Sequence, residues 1–367
     1  MTDDPAGPAD PERQYRSERG RGAVSNPPGR FDATVTDPTA ADDDPDGIDE
    51  AALATELAPE RVQRVITYND SPDIPFDRSI NPYRGCEHGC IYCYARPTHS
   101  YLNLSPGLDF ETRLFYKPQA PEQLRRELAQ PTYTPAPIAL GVNTDAWQPV
   151  ERRLGLTRRL LAVLAEARHP VTIVTKSALV ERDLDWLSEL AADGLVSVSV
   201  SLTTLDDSLN RCLEPRAAGP RRRLRLVRRL SDAGVPVAAL LAPVIPGITD
   251  SEMEALLKQA ADHGARAAGW IPLRLPHEVA GLFTDWLAEH YPDRQAHVLS
   301  LVEQIHGGGT NSGFRQRMGG TGAVADMLSQ RFRVARRRAG LSATLPALVT
   351  TRFQPPEPPD GQLRLFA

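Results

Sequence analysis

The chain has 367 residues, of which 41% are hydrophobic and 24% charged, and its formal net charge is -5. This composition allows a full hydrophobic core and suits one large α/β domain with extensions, or two domains. No apolar run approaches the ~20 residues of a membrane helix, and no apolar leader opens the sequence, so we expect a cytoplasmic protein without membrane contact. The net charge does not by itself indicate a nucleic-acid binder, although arginine dominates from Arg211 to Arg229.

Residues 1–60 are rich in Pro, Gly, Asp and Ala and contain few large apolar side chains, which is typical of a disordered tail. One piece differs, the segment from Gly20 to Phe31 with the sequence GRGAVSNPPGRF. Its small residues and paired arginines could wrap a groove or contact phosphate, and a solvated tail explains them equally well. Both alternatives stay open, and the folded chain is predicted to begin near residue 61.

Three of the four cysteines lie within eight residues, in the spacing Cys86-x3-Cys90-x2-Cys93. Three thiolates on one loop can bind only three irons of a [4Fe–4S] cube, which leaves the fourth iron open to an exogenous ligand. The alternative is a Cys3His zinc site with His88. However, His88 stands between two of the other ligands, and no second Cys or His pair follows at zinc-ribbon spacing. A disulfide is disfavoured because cytosolic thiols stay reduced.

Apolar, β-rich runs alternate with amphipathic segments after the cysteines. The predicted strands are Ser79–Tyr83, Ile138–Val142, Val171–Val174, Leu195–Val200, Val235–Leu241 and Ala267–Ile271. The predicted helices cover residues 121–130, 156–164, 183–192, 224–233 and 250–263. Six β/α units in tandem imply parallel strands with right-handed crossovers, and they fall short of the eight that close a full barrel. We therefore predict an α/β fold, an open partial (β/α)6 barrel over residues 61–275.

Three further helical segments, near residues 276–291, 293–305 and 322–338, are interpreted as a helical cap at residues 276–345. Residues 346–367 form a Pro-rich linker that ends in Gln362-Leu-Arg-Leu-Phe366-Ala. A glutamine followed by a Leu-Phe pair resembles the short peptide by which bacterial repair proteins bind the DNA polymerase sliding clamp. The alternative is a tail that packs back on its own barrel.

Polar side chains follow the predicted strands where an apolar core would need none. Asp145 and Glu151 follow the second strand, Lys176 the third and Ser201 the fourth. Because the carboxyl ends of parallel strands meet at one mouth, we expect these side chains to converge there. A lysine suits a carboxylate, Asp145 or Glu151 could accept from an amino group, and Ser201 could bind a hydroxyl. Each also has a structural explanation, such as capping the following helix.

From about Ile80 to Gly247 the chain resembles the spore photoproduct lyase-like branch of the radical S-adenosylmethionine superfamily. The matching phrases are NPYRGC and CYAR at residues 81–86 and 93–96, TDAWQPVE at 144–151, TKS at 175–177, SLTTLD at 201–206, LEPR at 213–216 and APVIPG at 242–247. GRGA at 20–23 and RMGGTG at 317–322 resemble a bacterial subgroup of that branch with no assigned substrate.

The resemblance implies two cofactors and the residues that bind them. A [4Fe–4S] cluster would be held by Cys86, Cys90 and Cys93, and its open iron would bind S-adenosylmethionine. Tyr94 and Ala242 would lie beside the adenine, Lys176 beside the carboxylate, and Ser201 beside the ribose or amino group. One position departs from the family. The lyase carries a hydrogen-donating cysteine at the end of its second strand, where this chain has Asn143.

We therefore predict a radical enzyme that cleaves S-adenosylmethionine to a 5′-deoxyadenosyl radical and acts on nucleic acid, in DNA repair or modification. An electron donor such as flavodoxin or ferredoxin is the implied redox partner. One alternative is radical modification of RNA, a peptide or a metabolite. The other, from a different class, is a non-catalytic interaction protein stabilised by zinc or an iron–sulfur cluster.

Overall fold

The computed structural model describes residues 20–31 and 54–357. These residues form ten β-strands and eleven α-helices. The strands are β1 (Glu56–Pro59), β2 (Ile66–Tyr68), β3 (Arg78–Ile80), β4 (Tyr83–Arg84), β5 (Arg113–Tyr116), β6 (Ile138–Leu140), β7 (Val171–Thr175), β8 (Val196–Ser201), β9 (Val237–Val244) and β10 (Ala267–Pro272). The helices are α1 (Asp109–Thr112), α2 (Ala120–Leu128), α3 (Glu151–Leu154), α4 (Leu156–Glu166), α5 (Leu184–Ala192), α6 (Asp207–Leu213), α7 (Pro220–Asp232), α8 (Met253–Asp262), α9 (Val279–His290), α10 (Gln295–Ile305) and α11 (Gly322–Arg338).

The main sheet has seven strands in the order β10-β9-β8-β7-β6-β3-β2. Strands β3 and β6 to β10 run parallel, and β2 pairs antiparallel with β3 at one edge. The six parallel strands and their helical crossovers confirm the predicted partial barrel. The first predicted strand, Ser79–Tyr83, is divided. It leaves the main sheet after Ile80, and Tyr83 pairs with β5 in a small second sheet of order β1-β5-β4.

The strands and helices form where the apolar pattern predicts them. In β7, the buried residues Val171, Ile173 and Thr175 alternate with half-buried ones, as expected for a strand that packs one face on the barrel core. Along α4, Leu156, Leu160, Leu161 and Leu164 are all buried at helical spacing. This packing fixes the strand ends and therefore the turns that carry the candidate site.

The three C-terminal helices interpreted as a cap are present as α9, α10 and α11. Helices α9 and α10 contribute Phe283, Trp286 and Val298 to an apolar cluster that also contains Ile91 and Tyr92 of the cysteine loop. Helix α11 packs against α10 and also against α8 and the edge strand β10, where the Phe332 ring lies 6.0 Å from that of Trp270. The apolar face of α11 thus closes the edge of the sheet.

Two segments interpreted as tails are packed against the barrel. In residues 20–31, Arg21, Gly22 and Ala23 are buried, which favours the alternative of a segment that wraps a groove and shows that the tail predicted for residues 1–60 is wrong for this part. The linker predicted for residues 346–367 is also too long. The Gln354 amide donates to the Ala167 carbonyl at 2.9 Å, and the Phe353 ring lies 5.4 Å from that of His169.

The proposed clamp-binding motif, residues 362–366, lies outside the described residues. Within the part of the chain that the structure describes, no helix is long and apolar enough to cross a membrane.

Candidate cluster and cofactor site

The cysteine loop, residues 85–94, lies after β4 and is fixed through its backbone. The Cys86 amide donates to the Phe110 carbonyl at 2.9 Å, and the Ile91 amide donates to the Leu213 carbonyl at 3.1 Å. The side chain of Gln148 accepts from the Glu87 amide at 2.8 Å and donates to the Gly85 carbonyl at 3.1 Å. The loop conformation is therefore set before any ligand binds.

The three loop cysteines are free thiols, with Cys86 and Cys90 buried and Cys93 half-buried. Burial raises the pKa of Cys86 and of Cys90 well above the ordinary value, so both are protonated at neutral pH without a metal. Metal binding would displace these protons. Among the described residues, no three His, Cys, Asp or Glu side chains are placed to hold a single metal ion. Three free thiols on one loop are the donor set that a [4Fe–4S] cube with one open iron requires, because each thiolate would bind a different iron.

His88 does not face the cysteines as a fourth ligand. Its Nδ1 lies 3.5 Å from Asp145 Oδ2, and the residue is only 2% exposed. Burial lowers the pKa of His88 to about 4, so the imidazole is neutral at pH 7. The geometry gives no support to a Cys3His zinc site.

A buried arginine, Arg96, supports the cysteine loop through hydrogen bonds to its backbone. Arg96 is fully buried and donates to the carbonyls of Cys90 at 3.0 Å, Gly107 at 2.9 Å and Gly89 at 3.3 Å. Its guanidinium pairs with the equally buried Glu111 at 2.5 Å. A buried ion pair with every donor satisfied holds a single arrangement, because any movement would leave a charge unpaired.

The segment from Gly20 to Phe31 packs against this pair of Arg96 and Glu111. The Gly22 and Ala23 amides donate to the Glu111 carboxylate at 3.0 and 2.9 Å. A Cβ added to Gly22 would lie 1.7 Å from the carbonyl oxygen of Gly89. Only glycine allows this approach, so the segment is fitted to the cysteine loop. No local pattern indicated this role for Glu111, and the only signal for Arg96 was its position in the CYAR phrase.

Lys176 lies at the end of β7 beside the cysteine loop. Its Nζ is 5.8 Å from the centroid of the Tyr92 ring, and the side chain is half-buried. The ammonium makes no ion pair within the described residues. A half-buried cation without a carboxylate partner is suited to an anionic ligand group.

The remaining residues implied by the resemblance also lie at strand ends. Ser201 ends β8 and is buried, and its hydroxyl has no hydrogen-bond partner in the described chain. Ala242 is half-buried in β9. The Tyr94 hydroxyl donates to the carbonyl of Val142, just after β6. Ser201 and Ala242 therefore lie towards the carboxyl ends of neighbouring parallel strands, and Tyr94 is joined to the turn after β6.

The two carboxylates predicted to receive an amino group do not suit that role. Asp145 accepts from the amides of Trp147 and Lys176 at 2.9 and 2.7 Å and from the Thr175 hydroxyl at 3.0 Å. Glu151 is fully buried and is occupied by other partners. These are Tyr83, Thr157 at 3.0 Å and Arg182 at 2.7 Å. Both carboxylates have their acceptor sites filled, so they hold the strand-end turns together.

A second buried network lies under Tyr92. Glu214 accepts from the Tyr92 hydroxyl, from Thr203 at 2.7 Å and from the guanidinium of Arg223. Arg223 also donates to the Ser201 carbonyl at 3.1 Å. The buried pair of Glu214 and Arg223 thus links the Tyr92 hydroxyl to the end of β8.

Trp147, in the TDAWQPVE phrase, does not shield the mouth. It is fully buried in the barrel core, where its Nε1 donates to Asp183 Oδ2 at 2.8 Å. Arg274, just beyond β10, is instead the residue that faces Tyr94, with its guanidinium 5.8 Å from the ring centroid. Within the described residues Arg274 pairs with no carboxylate.

Residues 80–260 match the family model of the Radical SAM superfamily. The chain therefore carries a domain of the radical SAM superfamily, whose members use a [4Fe–4S] cluster and S-adenosylmethionine. The uncharacterized protein Rv2578c of Mycobacterium tuberculosis is 40% identical over 222 residues, which are 60% of this chain. The uncharacterized protein MJ0683 of Methanocaldococcus jannaschii is 27% identical over 173 residues, 47% of this chain and 62% of that protein. The chain spans 65% of the length of the mycobacterial relative.

Solved structures of spore photoproduct lyase have a similar fold. A cysteine-to-serine mutant of that enzyme gives a TM-score of 0.57 at 16% identity, over 78% of this chain and 80% of the lyase. A double mutant of the lyase with bound AdoMet and dinucleoside spore photoproduct gives 0.56 at 15% identity, over 78% of this chain and 82% of the lyase. These likenesses confirm the partial-barrel fold.

Proposed function

We propose that this protein is a radical enzyme that binds a [4Fe–4S] cluster through Cys86, Cys90 and Cys93 and cleaves S-adenosylmethionine. The observation that carries the proposal is the braced loop of three free cysteines beside Lys176, an ammonium without an ion pair. When bound, the reduced cluster and S-adenosylmethionine supply a 5′-deoxyadenosyl radical that removes hydrogen from a substrate.

The residues of the chain bind and orient the cofactor. Lys176 would bind the carboxylate of S-adenosylmethionine, because its charge is half-buried and unpaired. Ser201 would hydrogen-bond the ribose or amino group with its free hydroxyl. Tyr94 and Ala242 would lie beside the adenine, and apolar residues of α9 and α10 would keep water from the loop.

We propose nucleic acid as the substrate, in DNA repair or modification. Arg274 supplies a half-buried positive charge beside Tyr94 that no carboxylate of the described chain neutralises, which suits a phosphate. The similarly folded lyase has been solved with a dinucleoside photoproduct, which supports the same class of substrate here. RNA, a peptide or a metabolite is the alternative substrate.

The fate of the abstracted hydrogen must differ from that in the lyase. Asn143, at the position of the hydrogen-donating cysteine, carries no thiol, and its backbone amide donates to the side-chain oxygen of Asn81 at 2.9 Å. Cys212 packs against the apolar cluster formed by α9, α10 and the cysteine loop, and its backbone carbonyl accepts from the Trp286 indole at 3.1 Å. Neither Asn143 nor Cys212 therefore supplies a thiol placed to return hydrogen at the mouth.

Absorption spectroscopy after anaerobic reconstitution with iron and sulfide tests the proposal. We expect a broad band near ~400 nm that bleaches with dithionite, as for thiolate-bound cubes. A colourless protein that binds zinc instead would contradict it and favour the non-catalytic interaction protein.

A further inference from the structure

A cavity of about 280 Å³ lies against the cysteine loop, between the turns after β6 and β7 and the segment that joins α6 to α7. Three of its lining residues are the arginines Arg152, Arg216 and Arg222, and none of its described lining residues is acidic. His88 of the cysteine loop also lines it. None of the lining residues belongs to the proposed S-adenosylmethionine site.

The wall of the cavity is joined directly to the cysteine loop. The Arg216 amide donates to the His88 carbonyl at 3.3 Å, and its guanidinium pairs with Glu87 at 3.1 Å. Both partners stand between Cys86 and Cys90 in the sequence. A molecule that rests on Arg216 is therefore separated from the cluster ligands by one turn of backbone.

Exposed arginines beside the cavity extend its positive charge towards the solvent. Arg152 and Arg222 are exposed and make no ion pair within the described residues, and Arg225, one turn further along α7, is also exposed and unpaired. The amino end of α7 at Pro220 adds its helix dipole on the same side. Arg152 and part of the arginine-rich stretch noted in the sequence thus form a basic rim around the cavity beside the cysteine loop.

We propose that this basic cavity is the docking site for an acidic one-electron carrier protein, of the flavodoxin or ferredoxin type. The inference rests on the proposed function, which requires an external electron. In the docked complex the reduced carrier loses one electron and the oxidised cluster gains it, and no bond forms or breaks. Basic rims of this kind accelerate the encounter with acidic partners, and redox encounters use small, transient interfaces.

Charge reversal at the exposed rim tests the proposal. The double variant Arg152→Glu/Arg222→Glu removes no ion pair of the described structure, so the fold should be retained. With reduced flavodoxin as the probe, we expect bleaching of the cluster absorbance in stopped flow to slow by roughly tenfold or more at low salt. The difference should shrink as salt is added. Reduction by dithionite should be unchanged, because a small reductant does not need the docking site.

Two matched controls accompany the double variant. Arg152→Lys/Arg222→Lys preserves the charge and should reduce as the unaltered protein does. Arg266→Glu reverses an exposed arginine before β10, at the opposite end of the strands, and should have no effect.

Several results would overturn the proposal. These are an unchanged rate with flavodoxin, an equal slowing with flavodoxin and dithionite, and a loss of DNA binding without a loss of carrier-driven reduction. The last result would assign the cavity to a nucleic-acid backbone. A protein that forms no cluster at all would instead contradict the proposed function.

Discussion

At the scale of single residues, the hydrogen bonds and ion pairs of each side chain distinguish those available for a ligand from those that stabilise the fold. Asp145 and Glu151 are saturated by protein donors, whereas the Lys176 ammonium and the Ser201 hydroxyl lack partners among the described residues. A polar group that the protein leaves unpaired at a strand end has only water or a ligand to bind. These two residues are therefore the strongest candidates for contacts with the cofactor.

Lys176→Ala should weaken binding of S-adenosylmethionine by about ten- to a hundredfold, the loss expected for a charge-assisted contact of about 1.5–3 kcal/mol. Isothermal titration of the reconstituted protein measures the change, and its iron content should not alter. Lys258→Ala, which removes an exposed lysine paired with Asp262, is the control. Equal affinities in the unaltered protein, Lys176→Ala and Lys258→Ala would mean that Lys176 does not contact the cofactor.

Gly22→Ala tests the packing of residues 20–31 against the cysteine loop. The added methyl group cannot coexist with the Gly89 carbonyl, so residues 20–31 must shift or detach. We expect a loss of about 1–3 kcal/mol in the free energy of unfolding. Iron should also be lost faster from the reconstituted protein. Gly281→Ala is the same change in a helix with open space around it, and it should not destabilise.

Unaltered iron retention in Gly22→Ala would mean that the N-terminal segment packs on the loop without supporting it. Limited proteolysis provides the second readout, because a detached segment is cut more readily.

At the scale of elements, the sequence predicted what depends on local periodicity. The six parallel strands followed from alternating and continuous apolar runs, and the cysteine loop from its spacing. The long-range polar pairs could not be predicted. Glu111 binds the Ala23 amide across 88 residues, and Glu151 binds Arg182 across 31. Such pairs depend on which turns meet at the barrel mouth, and no local pattern encodes this.

Helix caps illustrate the same limit. Asp183 stands at the amino end of α5, where sequence rules predict a capping side chain. Its carboxylate instead accepts from Trp147 and pairs with Arg158 and Arg182. A buried indole and two guanidinium groups compete successfully with the helix amides for one carboxylate. The tertiary fold, rather than the local helix signal, therefore decides the role of Asp183.

At the scale of the whole molecule, the chain joins a cofactor site to a tail that we propose reaches the DNA polymerase sliding clamp. The C-terminal segment follows the barrel surface as far as Gln354, so the reach of the motif at residues 362–366 is shorter than a linker from residue 346 would allow. The motif pairs a glutamine with apolar Leu and Phe side chains, the chemistry of a short peptide that orders on binding.

A peptide covering residues 360–367 should bind the clamp with a Kd in the micromolar range, about -8 kcal/mol. Fluorescence anisotropy measures this affinity. Changing Leu365 and Phe366 to Ala should abolish the binding and leave cleavage of S-adenosylmethionine unchanged in the full chain. A peptide that fails to bind at high concentration would remove the tail as support for a DNA substrate.

The central claim is that the three loop cysteines hold a cluster that cleaves S-adenosylmethionine. The most direct test is quantification of 5′-deoxyadenosine by mass spectrometry, after anaerobic incubation of the reconstituted protein with dithionite and S-adenosylmethionine. The unaltered protein and Cys212→Ala should form the product, whereas Cys86→Ala, Cys90→Ala and Cys93→Ala should form none. An iron-loaded protein that yields no 5′-deoxyadenosine, or a loop variant that yields it while Cys212→Ala does not, would contradict the account.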